Sequence, residues 1–141
     1  MLTITAIIRT RDGHADEMRQ ALLDHLVIFL PDQPLTPERF LAFAKRFGAP
    51  VEYPFVKGLD AFPEIIEVAK LENETSNFGG IWHSDTVYLE EPPMGSMLLA
   101  REIPPQGGDT LFANQYMAYD ALSPTFRGLL DGLTAVHSSA K

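Results

Sequence analysis

Two side chains in the run Ile81-Trp82-His83-Ser84-Asp85-Thr86-Val87-Tyr88 have the types and spacing for metal chemistry. The run reads as a strand over about 81–90. On a strand, side chains alternate faces, so His83 and Asp85 project one way while Trp82 and Ser84 project the other. An imidazole and a carboxylate fixed on one face are two of the three members of a 2-His-1-carboxylate facial triad. That set suits non-haem Fe(II), because it fills one face of the ion and leaves the opposite positions open. A bare His-x-Asp also reads as two surface polar residues, and the surrounding sequence bears on which reading holds.

Downstream come Glu91-Pro92-Pro93, a strand-like Ser96-Met97-Leu98-Leu99-Ala100, and Pro104-Pro105-Gln106-Gly107-Gly108-Asp109-Thr110. With these in order, the stretch "NFGGIWHSDTVYLEEPPMGSMLLAREIPPQGGDTLFANQYMAYDALSPTFRGLLDGLTAVHS" resembles the taurine dioxygenase-like (TauD/TfdA) family of Fe(II)- and 2-oxoglutarate-dependent dioxygenases. The likeness begins at "ALLDHLVIFLPDQPLTPERFLAFAKRFG" and so covers about residues 20–141. The resemblance implies that His83 and Asp85 supply two of three iron ligands. It implies that 2-oxoglutarate chelates the metal through its keto and C1-carboxylate oxygens, dioxygen follows, and hydrogen is taken from a C–H bond of a small organic substrate. It also implies that Thr110 hydrogen-bonds the far carboxylate of 2-oxoglutarate. Read without the family, Thr110 is a turn residue satisfying local backbone. The flexible pair Gly107-Gly108 permits a tight turn before it, and Asp109 reads as a turn-stabilising residue.

The elements that position these residues follow from pattern. Leu2 to Thr10 alternates as a strand, Asp12-Gly13 makes a turn, and Ala15 to about Leu26 is an amphipathic helix with Met18, Leu22 and Leu26 at helical spacing. Val27 to Leu30 reads as a short buried strand. Thr36-Pro37 starts a helix, with Thr as N-cap and Pro at the first helical position, and Gly48 stops it. Its stripe of Phe40, Phe43, Ala44 and Phe47 reads as core packing rather than a binding face. Ala49 to Pro63 is a loop rich in Pro and Gly near the site. Strands are expected at 64–71, 81–90, 96–101, 109–113 and 133–137, and short helices at 116–122 and from Ser123-Pro124 to about Asp131.

The opening "MLTITAIIRTRDGHADEMRQALL" is similar instead to the antibiotic-biosynthesis monooxygenase family of small ferredoxin-like dimers. Any amphipathic strand–turn–helix reads the same way. The expected division is therefore a start of separate origin at 1–19 and a dioxygenase portion at 20–141. The alternative functions are a cofactor-free monooxygenase-like dimer and an inactive remnant or interaction module.

The remaining candidates are weaker. Trp82 is expected in the core. Tyr88, Phe112 and Tyr116 read equally as pocket lining or core. His14 and His25 fall on or beside the first helix. His137 ends an expected strand and is the type of ligand still missing, but the resemblance places it mid-chain rather than at the family's distal histidine. Neither Arg101 nor Arg127 lies in the context of the family arginine that pairs with 2-oxoglutarate. Family members that bind a sulfonate carry Asn four positions before the metal histidine, where this chain has Gly79, and positions near Pro54 and Lys57 also differ. Taurine itself is therefore not the expected substrate.

Fold class follows as α+β to mainly β, a partial double-stranded β-helix (jelly roll) with flanking helices and without its C-terminal half. Open strand edges and uncovered apolar surface in such a piece favour a homo-oligomer. With two protein ligands, iron binding is expected to be weak.

Composition limits the other classes. The 141 residues suit one domain with a modest core. Eleven Lys and Arg against 19 Asp and Glu give a net charge of −8, which repels phosphate backbones and argues against nucleic acid. No Cys is present, so there is neither a disulfide framework nor a thiolate metal site, in keeping with a reducing cytoplasm. No apolar run reaches membrane-spanning length, and no signal-peptide pattern opens the chain.

Overall fold

A computed structural model describes residues 6–7, 15–70, 73–75 and 79–139. His14, the Asp12-Gly13 turn and most of the expected first strand lie outside the described residues. The chain divides into two units, residues 1–32 with 100–141, and residues 33–99.

In the first unit, β1 (Ala6–Ile7) is followed by α1 (Ala15–His25) and β2 (Ile28–Phe29). The strands pair in parallel, Ala6 with Ile28 and Ile7 with Phe29. Parallel neighbours need a crossover, and α1 supplies it. Asp16 and Glu17 lie in the first turn of α1 and His25 in its last, the charge order that the helix dipole favours. Gln20 Nε2 donates to Asp24 Oδ1 at 2.8 Å one turn on. The helix closes where Leu26 turns left-handed at φ 65°, its N–H still donating to Leu22 O at 2.7 Å. Met18 turns inward and is the one fully buried side chain among the described residues. The expected buried strand at 27–30 is corrected: Phe29 is 42% exposed, and its ring meets Phe112 edge-on at 6.3 Å.

Two capped helices close this unit. Asn114 Oδ1 accepts the Met117 N–H at 3.0 Å and starts α3 (Gln115–Asp120). Ser123 Oγ accepts the Phe126 N–H at 3.3 Å and starts α4 (Pro124–Leu130). These caps satisfy donors that the first turn leaves unpaired. The Tyr119 hydroxyl donates to Asp131, and the Arg127 guanidinium lies 6.0 Å above the Tyr119 ring, which pins α4 to α3.

In the second unit, α2 (Pro37–Ala44) starts as its sequence dictates, with Thr36 as N-cap and Pro37 in the first turn. Phe40, Phe43, Ala44 and Phe47 are half-buried along one face, and the Phe43 and Phe47 rings pack edge-on at 5.4 Å. The expected core packing of this stripe is thus seen only in part, since α2 has no fully buried residue and the described part of its unit has no sheet to receive it. The following loop folds back on itself, with the Leu59 N–H donating to Ile65 O at 2.8 Å.

The expected strands at 64–71, 81–90, 96–101, 109–113 and 133–137 are not paired strands among the described residues. A strand is stabilised by its neighbour, and these segments have no ladder partner there. Residues 96–100 keep the alternation alone: Met97 and Leu99 are half-buried while Ser96, Leu98 and Ala100 face out. The described residues thus form a small parallel sheet and four helices, α+β with little β, and do not show the expected partial jelly roll. The large apolar side chains left exposed include Trp82, Leu98, Ile103, Leu133 and Val136. The core is smaller than the composition suggests, because the faces that would bury one another are not paired. No described helix is long and apolar enough to cross a membrane.

Gly58 has the least room of the second unit's described glycines. A Cβ there would sit 2.0 Å from the Pro63 carbonyl oxygen, whereas one at Gly48 would meet nothing. Gly58→Ala is expected to cost about 1–3 kcal/mol, read as a lower thermal midpoint, while Gly48→Ala leaves the midpoint within a degree or so of the parent, roughly the spread of a neutral surface change.

Candidate metal centre

The stretch that carries His83 and Asp85 is not a strand: His83 lies in irregular backbone and Asp85 opens a turn. Residues 85–88 curl over, Thr86 takes φ 50°, and the Leu89 N–H donates to Thr86 O at 3.0 Å. A left-handed β-branched residue is strained, and the Thr86 hydroxyl oxygen is buried without a hydrogen-bond partner. The alternation argument for the pair is thereby corrected. Trp82, expected in the core, is 66% exposed for the same reason: without a paired sheet it has no opposite face to pack on.

The pair nonetheless converges. His83 Nδ1–H donates to the Ile81 carbonyl at 2.7 Å. This leaves Nε2 as the ring's lone-pair nitrogen when the imidazole is neutral. Nε2 lies 3.0 Å from Asp85 Oδ1. The other carboxylate oxygen, Oδ2, accepts the Ser96 hydroxyl at 2.7 Å. Each side chain therefore has its outer atom tied and its other polar atom facing that of its partner.

Two acceptors facing each other at hydrogen-bond distance need a cation between or beside them. A proton serves: the Ile81 carbonyl raises the His83 pKa above its ordinary 6.5, partial burial opposes that, and the Asp85 charge and hydrogen bond add to the rise. A metal ion fits the same donor set. Adjacent octahedral ligands about 2.1 Å from an ion lie about 3.0 Å apart, and the carbonyl-bound Nδ1–H is the usual outer-sphere support of a ligating imidazole. Among the described residues no third His, Cys, Asp or Glu joins this pair as a metal-binding group.

Gly79 is part of this arrangement. It takes φ 67°, and a Cβ on it would stand 3.2 Å from His83 Cε1. The absence of a side chain is thus what gives the imidazole its room. Next to Asp85, Tyr88 joins an aromatic cluster: Phe55 lies 5.8 Å from Tyr88 and 5.9 Å from Tyr53. Burial is the main cause that pushes the Tyr88 phenol up. Tyr53 and Phe55 also line an open depression of about 480 Å³ formed by residues 52–60 and Pro63. The one ammonium in its wall, Lys57, is paired with Asp60 at 2.5 Å.

Thr110 belongs to the first unit and is exposed in irregular backbone rather than a strand. Gly107 and Gly108 before it are left-handed, φ 77° and 76°, as their sequence requires. Phe112 packs on Phe29, Tyr116 is 73% exposed, and His137 is exposed in the same unit as Thr110. Arg127 reaches Asp120 at 4.0 Å. Sequence reasoning missed Ser96, Tyr53 and Phe55. The signal for Ser96 was a lone hydroxyl in an apolar, alternating run.

Comparison with known proteins bears on this geometry. Residues 2–141 match the family described as Taurine catabolism dioxygenase TauD, TfdA family. The chain belongs to this family. The match takes in the opening segment, and it supports the dioxygenase reading over the monooxygenase-like alternative. The chain is 34% identical over 125 residues, 88% of its length, to an alpha-ketoglutarate-dependent sulfate ester dioxygenase of Pseudomonas putida, of which this covers 40%. It is 32% identical over 128 residues, 86% of its length, to an (S)-phenoxypropionate/alpha-ketoglutarate-dioxygenase of Sphingobium herbicidovorans, covering 44% of that protein. It is 32% identical over 139 residues, 86% of its length, to an alpha-ketoglutarate-dependent 2,4-dichlorophenoxyacetate dioxygenase of Cupriavidus pinatubonensis, covering 48% of it. The TauD/TfdA chain thus spans less than half the length of these relatives.

The direction of the His83 shift gives a test. In the metal-free protein, the His83 ring protons followed by NMR should titrate with a midpoint above 6.5. The charged ring favours the folded form, so its contribution to stability is complete at low pH and fades as pH rises through that midpoint. A midpoint at or below the ordinary histidine value contradicts the described contacts.

Proposed function

We propose that this chain is the metal-binding portion of an Fe(II)- and 2-oxoglutarate-dependent dioxygenase that hydroxylates a small organic substrate. The observation that carries the reading is His83 Nε2 facing Asp85 Oδ1 at 3.0 Å, within a chain whose relatives are named for alpha-ketoglutarate dependence. His83 and Asp85 would hold Fe(II) through those two atoms. Bound iron supplies the redox chemistry with dioxygen that amino-acid side chains lack. The net reaction joins substrate, 2-oxoglutarate and dioxygen to give hydroxylated product, succinate and carbon dioxide.

The chain's own residues contribute position and environment. The Ile81 carbonyl fixes the His83 tautomer, so that Nε2 carries the lone pair. Gly79 keeps the space beside the ring open. Thr110 is assigned the hydrogen bond to the far carboxylate of 2-oxoglutarate on the strength of its "GGDT" context. Tyr53, Phe55 and Tyr88 offer an aromatic wall beside the ligand turn, and the depression next to it is the candidate substrate cleft. Aromatic walls and a shallow polar rim suit a compact carbon skeleton. The relatives' named substrates, a sulfate ester and phenoxyalkanoates, are of this kind.

The extended segment 96–100, with its alternating exposure, is assigned as a strand of the family's jelly roll. The uncovered apolar residues support self-association of the chain. The absence of cysteine and the need to keep iron ferrous both suit the cytoplasm.

The test is an oxygen-free titration of the protein with Fe(II) and 2-oxoglutarate, watching for the iron-to-cosubstrate charge-transfer band. The band is expected in the parent and absent in His83→Ala. No band, or one of equal intensity in His83→Ala, overturns the assignment.

A further inference from the structure

We infer that Ser96 is a positioning residue that restricts Asp85 to binding metal through one oxygen, an inference that rests on the metal-site reading above. A carboxylate can occupy one coordination position or two. The difference matters here. A facial triad of three single-atom ligands leaves three of six positions, enough for a bidentate 2-oxoacid and dioxygen. A chelating Asp85 would take one of those three.

The geometry favours the single-atom mode. The Ser96 hydroxyl donates to Asp85 Oδ2 at 2.7 Å, a short bond to an ionised acceptor and therefore among the stronger kinds. It engages Oδ2 and leaves Oδ1 as the atom aimed at His83 Nε2, 3.0 Å away. The terminal torsion of an Asp side chain is otherwise broad, so without such a donor the carboxyl plane is free to turn. Ser96 opens the extended segment 96–100, in which Met97 and Leu99 turn inward and Ser96 turns out. Those two apolar neighbours are half-buried on the side opposite the hydroxyl. The pair His83–Ile81 and the pair Asp85–Ser96 are thus equivalent devices: one donor–acceptor bond on the far side of each ligand fixes which atom faces the ion.

Co(II) is the probe, since its binding is read by calorimetry and its visible absorption reports coordination number without turnover. Four full-length proteins carry the test: the parent, His83→Ala, Ser96→Thr and Ser96→Val. Thr and Val share a shape and differ in the hydroxyl. The parent is expected to bind Co(II) and His83→Ala to lose it. Ser96→Thr should bind within a few-fold of the parent with the same spectrum. Ser96→Val should bind about 10- to 100-fold more weakly, with an altered absorption as Asp85 turns to chelate. Equal affinity and equal spectra for Thr and Val overturn the role of Ser96 and leave the His83–Asp85 site standing. A parent that binds no Co(II), or binds it independently of His83, overturns both the site and this inference.

Discussion

The constraint on which the candidate centre depends is the confrontation of two acceptors. Once the Ile81 carbonyl takes the Nδ1 proton, the neutral imidazole presents a lone pair to a carboxylate oxygen at 3.0 Å. That arrangement is repulsive unless a positive charge is shared. A proton and a divalent ion are competitors for the same place, and deprotonation must accompany metal uptake. Around the pair stand the bare Gly79 beside the ring, the strained turn at Thr86 and the Ser96 hydroxyl behind Asp85.

The turn shows how strain is spent. Thr86 sits left-handed with its hydroxyl buried and unpartnered, two unfavourable choices at one residue. Both follow from reversing the chain directly after Asp85. The reversal curls the carboxylate toward the ring and places Tyr88 against Phe55. Ligand pair and aromatic cluster are products of the same bend.

What was legible in the sequence was what local bonds decide. The Thr36-Pro37 and Ser123-Pro124 starts are read from two or three adjacent residues, because a cap satisfies donors within its own turn. The left-handed Gly107-Gly108 is equally local. His83 and Asp85 were legible as a pair, although for the wrong reason, since any tight local geometry brings positions i and i+2 near each other. The strands were not legible in the same sense: Glu64 to Lys70 and Leu133 to His137 have the pattern, but a pattern becomes a strand only beside a neighbour. Ser96 was hidden because its partner lies 11 residues away, beyond any short-range rule, and Trp82 was misplaced because its burial presupposed a sheet.

Met18 as the one fully enclosed side chain among the described residues has a thermodynamic corollary. Heat-capacity increments and denaturant slopes scale with the surface newly wetted on unfolding. A chain whose Leu98, Leu133 and Val136 are already in water has less left to wet than a fully packed chain of its length. Its melting by itself would be broad and shallow rather than a sharp cooperative step. Any polypeptide surface that covered those residues would sharpen the transition and, by the same linkage, raise its midpoint.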